Sequence, residues 1–209
     1  VFKLTDGNLV LLVGDASGHG LKACMSIVTM HTLIRMVGTD GYRSTADFVN
    51  EINKRLCDNS LVQSGGGFIT LFYATINSQS HRLFWTSAGH PLAMLHNLET
   101  DEVKTIGTSD DSGLPLGISG DFQYSACTVD LPPASRLLIY SDGLADAFSP
   151  KSVPHKLFGI DGISETLKTC RGKNVTDTLD CLFQTSRDFT QGAGRHDDTS
   201  VVLVERYVD

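Results

Sequence analysis

Apolar positions change rhythm along the chain. Leu9-Val10-Leu11-Leu12-Val13 is an unbroken apolar run closed by Gly14 and Asp15, which predicts a buried strand. Gly18 and Gly20 mark a tight turn. From Leu21 to Val37 the apolar residues fall at helical spacing in two adjoining stripes, Leu21, Met25, Val28 and Ile27, Met30, Ile34, Val37. That pattern predicts a helix covered on more than one side, ended by Gly38 to Gly41. Ser44-Thr45-Ala46-Asp47 reads as the N-terminal cap of a second helix running to about Cys57. Beyond the Ser64-Gly65-Gly66-Gly67 connector the period shortens. Residues 68–76, 81–86, 92–96 and 102–106 alternate between turn sequences and predict an antiparallel meander. Residues 122–131 and 136–140 continue the strands around Pro132-Pro133. Helices are predicted over 143–148, 160–169 and 175–189, and a last strand over 200–205. Helices and strands come in blocks, so the expected class is α+β rather than doubly wound α/β.

Composition narrows the functional classes. The 209 residues carry 17 Lys plus Arg against 24 Asp plus Glu, a formal charge of −7. There is no basic run to follow a phosphate backbone or an anionic membrane, so neither nucleic acid nor membrane is an expected partner. No stretch approaches the roughly 18 apolar residues that span a bilayer. Cys24, Cys57, Cys127, Cys170 and Cys181 form no CxxC pair. They are expected as small buried hydrophobes of a cytoplasmic, reducing compartment, not as a disulfide framework or a zinc site. The chain opens in mid-pattern at Val1-Phe2-Lys3-Leu4. The expectation is one domain over residues 1–209, truncated at its N-terminus and excised from a longer regulatory protein.

Three aspartates share a local setting. Asp15 and Asp142 each close an apolar strand, and Asp197-Asp198 precede the last one. Antiparallel neighbours bring strand ends beside strand starts, so these carboxylates are candidates to meet at one sheet edge. Bunched carboxylates repel one another and take up protons unless a cation joins them. Oxygen-only donors suit Mg²⁺ or Mn²⁺ rather than Zn²⁺. Gly18-His19-Gly20-Leu21-Lys22-Ala23 also matches a dinucleotide-binding turn. Asp15 beside the pyrophosphate position and the helix-to-helix succession argue against that reading.

Gly14-Asp15-Ala16-Ser17-Gly18-His19-Gly20 resembles the GDxSGHG motif of metal-dependent protein phosphatases (PPM, type 2C), in their bacterial SpoIIE/RsbU-like branch. Ala88-Gly89-His90-Pro91, residues 113–117, Tyr140-Ser141-Asp142-Gly143-Leu144 and Asp197-Asp198-Thr199-Ser200 follow in the order of that family. The resemblance implies a four-layer α-β-β-α sandwich with two central antiparallel sheets and a two-metal site at one end. Asp15 would bridge two Mg²⁺ or Mn²⁺ ions, with the Ala16 carbonyl on the second. Asp142 and Asp197 would hold the first, and Asp198 stays open as an alternative. The implied reaction is hydrolysis of phosphoserine or phosphothreonine in a protein by metal-activated water. The implied substrate is a STAS-type anti-anti-sigma factor in partner switching, under control of an N-terminal sensor or receiver domain. An acidic GGD-type segment of the family would lie before Val1, and Ser17 stands where eukaryotic relatives carry a His.

His19 stays open between a general acid and a turn residue packed against the Gly-rich loop, and His90 is read as a turn residue with a structural hydrogen bond. Arg195 and His196 remain candidates beside the metal ligands. Met25, Met30 and Met36 are read as core. The helix behind Asp15 is a candidate lever on that ligand. The rival reading is a catalytically silent module that keeps the PPM fold and binds its partner without hydrolysis. Mn²⁺-dependent phosphate release separates the two.

Overall fold

The computed structural model describes residues 1–38, 42–59, 67–194 and 197–208. The chain divides into two compact units, Val1–Leu92 with Gly107–Asp130, and Ala93–Ile106 with Leu131–Asp209. Its elements open with β1 (Phe2–Lys3), β2 (Leu9–Ala16), α1 (Leu21–Val37), α2 (Thr45–Cys57), β3 (Ile69–Ile76) and β4 (Arg82–Ala88). Next come β5 (Met94–Asn97), β6 (Val103–Thr105), β7 (Ser112–Gly113) and β8 (Cys127–Asp130). The last stretch holds β9 (Ser135–Tyr140), α3 (Asp142–Ala145), β10 (Phe148–Ser149), β11 (Lys156–Leu157), α4 (Gly159–Thr169), α5 (Val175–Thr190) and β12 (Val201–Arg206). The class is the expected α+β one, with a helix-backed sheet in each unit.

The sheet of the first unit runs β1-β2-β3-β4-β7, with β8 also on β4. Its pairings are antiparallel except for the short parallel match of Ser87 with Ser112. β2 does not stop at Val13, because β3 supplies partners as far as Ala16↔Ile69. Asp15 therefore sits inside a paired strand rather than in the turn after it. One face of this sheet packs Val10, Ile69, Leu71 and Tyr73 against Met30 and Ile34 of α1 and Phe48, Val49, Ile52 and Leu56 of α2. The other face buries Leu11, Val13, Phe72, Leu83 and Trp85. Ser44 caps α2 as predicted, its hydroxyl accepting the Asp47 amide at 3.1 Å.

Two expectations fail in this unit. α1 has the predicted bounds but is not covered on several sides, since only Met30 and Ile34 are buried along it. Leu21, Met25, Val28 and Met36 are exposed, so of the three methionines only Met30 is core. Within residues 122–131 only Cys127–Asp130 is strand. The segment before it is fastened by side chains instead. The Tyr124 amide donates to Asn50 Oδ1 at 2.9 Å, and its hydroxyl to the Leu114 carbonyl at 2.8 Å.

The second sheet runs β12-β9-β5-β6 and is antiparallel throughout. Every residue of β9 is buried. Met94, Leu138, Tyr140 and Leu203 pack with Ile163 and Leu167 of α4 and Leu182 of α5. Arg136 is buried in the middle of this sheet and fully engaged. It donates to Glu205 at 2.6 Å, to Thr178 at 3.3 Å, and to the carbonyls of Cys170 and Lys173. A buried guanidinium is tolerable only with such complete pairing. The helix predicted over 143–148 is the single turn α3, because Phe148 leaves it to pair with Leu157. The cysteine expectation also needs correcting. Cys170 and Cys181 lie side by side where α4 turns back into α5, and Cys170 is buried. Cys24 is an exposed thiol.

Candidate metal centre

In the first unit Asp15 stands opposite Thr70 across the β2–β3 ladder. The Thr70 hydroxyl donates to the Asp15 carbonyl at 3.4 Å and lies 2.9 Å from His90 Nδ1. One chain of donors serves all three groups when His90 carries its proton on Nδ1. His90 is buried and makes a hydrogen bond of the kind anticipated for it. Ser17 fixes the exit from β2. Its amide donates to the Phe68 carbonyl and its hydroxyl accepts the Phe68 amide, both at 2.9 Å. Gly18 and Gly20 then take the left-handed backbone, with φ of 84° and 79°, that lets the chain turn into α1. His19 between them is exposed.

In the second unit the buried strand β9 delivers Asp142 to the first position of α3, and Asp197 lies just ahead of β12. Ser141 ties these two chain segments together. Its amide donates to the Ser200 carbonyl at 2.9 Å and its hydroxyl accepts the Ser200 amide at 2.9 Å. The same hydroxyl donates to the Asp198 carbonyl at 3.3 Å. Gly143 makes the approach possible. A Cβ there would lie 3.1 Å from the Asp197 carbonyl oxygen and nearer still to that of Asp198.

The result is a carboxylate pair, with one oxygen of Asp142 within 4.8 Å of one of Asp197. The Asp142 pKa is raised. Partial removal from water is the largest cause, followed by the charges of Asp197 and Asp146, while the Gly143 amide opposes them. The other Asp197 contact is local, its Oδ1 accepting the Asp198 amide at 2.8 Å. The Asp198 carbonyl accepts the Ser141 hydroxyl at 3.3 Å. Two acidic oxygens held together by backbone and hydroxyl bonds, and repelling each other, fit a hard divalent cation.

Residue reading singled out Asp142 and Asp197 but gave Ser141 and Thr70 no role. A hydroxyl between a core strand and an acidic residue was the available signal for Ser141. Thr70 had none, since its partnership depends on the β2–β3 register. Arg195, His196 and residues 64–66 of the glycine-rich connector lie outside the described residues. Among the described residues no helix is long and apolar enough to cross a membrane.

Comparison with known proteins gives this arrangement a context. The family described as Stage II sporulation protein E (SpoIIE) matches residues 5–207. The chain is 25% identical over 203 residues to a Bacillus subtilis protein named phosphoserine phosphatase RsbU, covering 95% of this chain and 56% of that one. The chain spans about a third to just over half the length of curated relatives that it matches. Its fold resembles the RsbU and RsbW domains of Rv1364c from Mycobacterium tuberculosis, with a TM-score of 0.74 and 20% identity over 96% of this chain and 53% of that one. It also resembles RsbX, solved in complex with magnesium, with a TM-score of 0.65 and 18% identity over 97% of this chain and 83% of that one. The chain belongs to the SpoIIE family, the bacterial SpoIIE/RsbU-like branch of the metal-dependent protein phosphatases.

Proposed function

We propose that the chain is a divalent-metal-dependent protein phosphatase acting on phosphoserine or phosphothreonine. The observation that carries this reading is the Asp142–Asp197 pair, held by Ser141 and Gly143 at mutual repulsion that a cation would relieve. Family membership, the name of RsbU and the magnesium of RsbX support it.

In this reading two Mg²⁺ or Mn²⁺ ions would be held by Asp15, the Ala16 carbonyl, Asp142 and Asp197, with Asp198 as the alternative to its neighbour. When bound, the ions supply an acidified water as nucleophile and positive charge for the phosphate. The protein's own part is placement. β2 fixes Asp15 by strand pairing, and the Thr70 hydroxyl holds the carbonyl of the same residue. Ser141 keeps Asp142 at one spacing from the 197–198 backbone. No side chain needs to form a covalent phosphoryl intermediate, so none of the cysteines is assigned a nucleophilic role.

The substrate assigned is a phosphorylated regulatory protein of the STAS-type anti-anti-sigma class, within a partner-switching circuit. An N-terminal sensor or receiver domain of the full-length protein would govern the activity. The test is phosphate release from a phosphoserine protein with Mn²⁺, with EDTA, and with Asp142→Asn. Release that survives both EDTA and the substitution overturns the proposal.

A further inference from the structure

The β10–β11 hairpin is not used by the metal centre, yet it is built beside it. It starts six residues after Asp142. Its first strand is pinned to the segment leading to Asp197, the Phe148 amide donating to the Gly194 carbonyl at 2.8 Å. Gly194 leaves no room for a side chain against the Phe148 carbonyl. The hairpin is ordered by its own bonds. Phe148 pairs with Leu157 and Ser149 with Lys156. The Ser152 hydroxyl accepts the Lys156 amide at 2.6 Å, and the His155 ring lies 4.7 Å from that of Phe148.

Its own composition is cationic. In a protein of net charge −7, no acidic residue occurs between Asp146 and Asp161, whereas Lys151, His155 and Lys156 do. All three are exposed, and among the described residues neither lysine forms an ion pair. Val153 at the tip is 93% exposed and Leu157 is 51% exposed. The hairpin thus offers an ordered backbone, two unpaired lysines and an exposed apolar tip. Val153 is five residues from Phe148 and so lies at most about 18 Å from it. One protein–protein footprint, with about 20–30 residues a side, can cover that span.

We infer that the β10–β11 hairpin is the surface that docks the phosphoprotein substrate, with Lys151 and Lys156 meeting acidic side chains that flank the phosphorylated residue. This rests on the phosphatase reading and extends it to the substrate's own chemistry. Charge complementarity is the argument. A phosphorylated acidic segment is drawn to a cationic hairpin on a protein of net charge −7, which would bring its phosphate next to Asp142 and Asp197.

The experiment compares two fluorescent phosphoserine peptides that differ only in Glu or Gln at the flanking positions. Binding to the unaltered chain, to Lys151→Glu/Lys156→Glu and to Lys151→Gln/Lys156→Gln is read by anisotropy in Mn²⁺, at low and high salt. The expected result is a roughly five- to tenfold preference for the Glu peptide. That preference fades with salt, disappears in the Gln variant and inverts in the Glu variant, while melting temperatures stay the same. No preference, or one that survives charge reversal, overturns the proposal. So does a result in which the variants lose only binding to phosphatidylserine vesicles. Mn²⁺-dependent hydrolysis of p-nitrophenyl phosphate is followed alongside and is expected to be equal in all three proteins. Its absence from the unaltered chain counts against the phosphatase reading, and the peptide preference still decides the docking surface.

Discussion

Asp142 experiences opposing demands. Loss of water and the nearby charges of Asp197 and Asp146 raise its pKa, so the proton is held more tightly in the folded chain than in the unfolded one. A carboxylic acid with a raised folded pKa adds stability at low pH, and that contribution is lost as pH rises through the carboxylate range. Near neutrality the ionised side chain is therefore a cost in the metal-free protein. Asp142→Asn should leave the metal-free melting temperature equal or higher, and should abolish the increase that Mn²⁺ gives the unaltered protein. Calorimetric scans with Mn²⁺ and with EDTA check both halves. A variant that melts lower without metal would show that Asp142 is structural instead. Gly143 gives a complementary case. A methyl group there must push away the 197–198 backbone, so Gly143→Ala should cost about 1–3 kcal/mol in denaturant unfolding and weaken Mn²⁺ binding by about 10–100-fold in titration calorimetry. At this scale the acidic residues were legible because they close or open apolar runs. The bonds made by Ser141 and Thr70 were not, because they join residues 59 and 55 positions apart.

Among the elements, α1 shows what periodicity conveys and what it leaves out. Its bounds follow from the Gly-rich turn before it and Gly38 after it, and they agree with the predicted ones. Its environment does not follow, since two apolar stripes specify faces without specifying what lies against them. Met30 is 4% exposed and Met36 is 73% exposed on the same helix. Met30→Ala should therefore destabilise by about 2–5 kcal/mol, through lost burial and the cavity left behind. Met36→Ala should stay within about 0.5 kcal/mol. Urea unfolding of the two variants tests this difference, and equal effects would mean that Met36 is also covered. Residues 122–126 illustrate the converse. Their apolar content resembles a strand, but Tyr124 spends its amide on Asn50 and its hydroxyl on Leu114, so no ladder forms there.

For the whole molecule, the acid response is set in part by His96. Its ring is fully buried in the second sheet and Nε2 contacts Asp101 Oδ1 at 2.9 Å. Burial lowers its pKa from 6.5, and the charges of Arg136 and Arg171 add to that, outweighing Asp101. The folded chain thus keeps the imidazole neutral at pH values where the unfolded chain takes up a proton. Stability falls as pH drops through the value for the unfolded histidine. His96→Gln should flatten the decline in unfolding free energy between about pH 7.5 and about pH 5.5, and an unchanged slope would assign the acid response elsewhere. Sequence blocks were enough to indicate the α+β class, and the resemblance implied two sheets, but the path of the chain between them was not legible. The chain leaves the first unit after Leu92, returns after Ile106 and departs again after Asp130. During synthesis, a ribosome must therefore release Asp130 before the first unit holds its full set of strands, while residues 93–106 wait for β9 to arrive. A single cut after Asp130 keeps all of the first unit on one piece but strips residues 93–106 from the second, so no single cut yields both units intact.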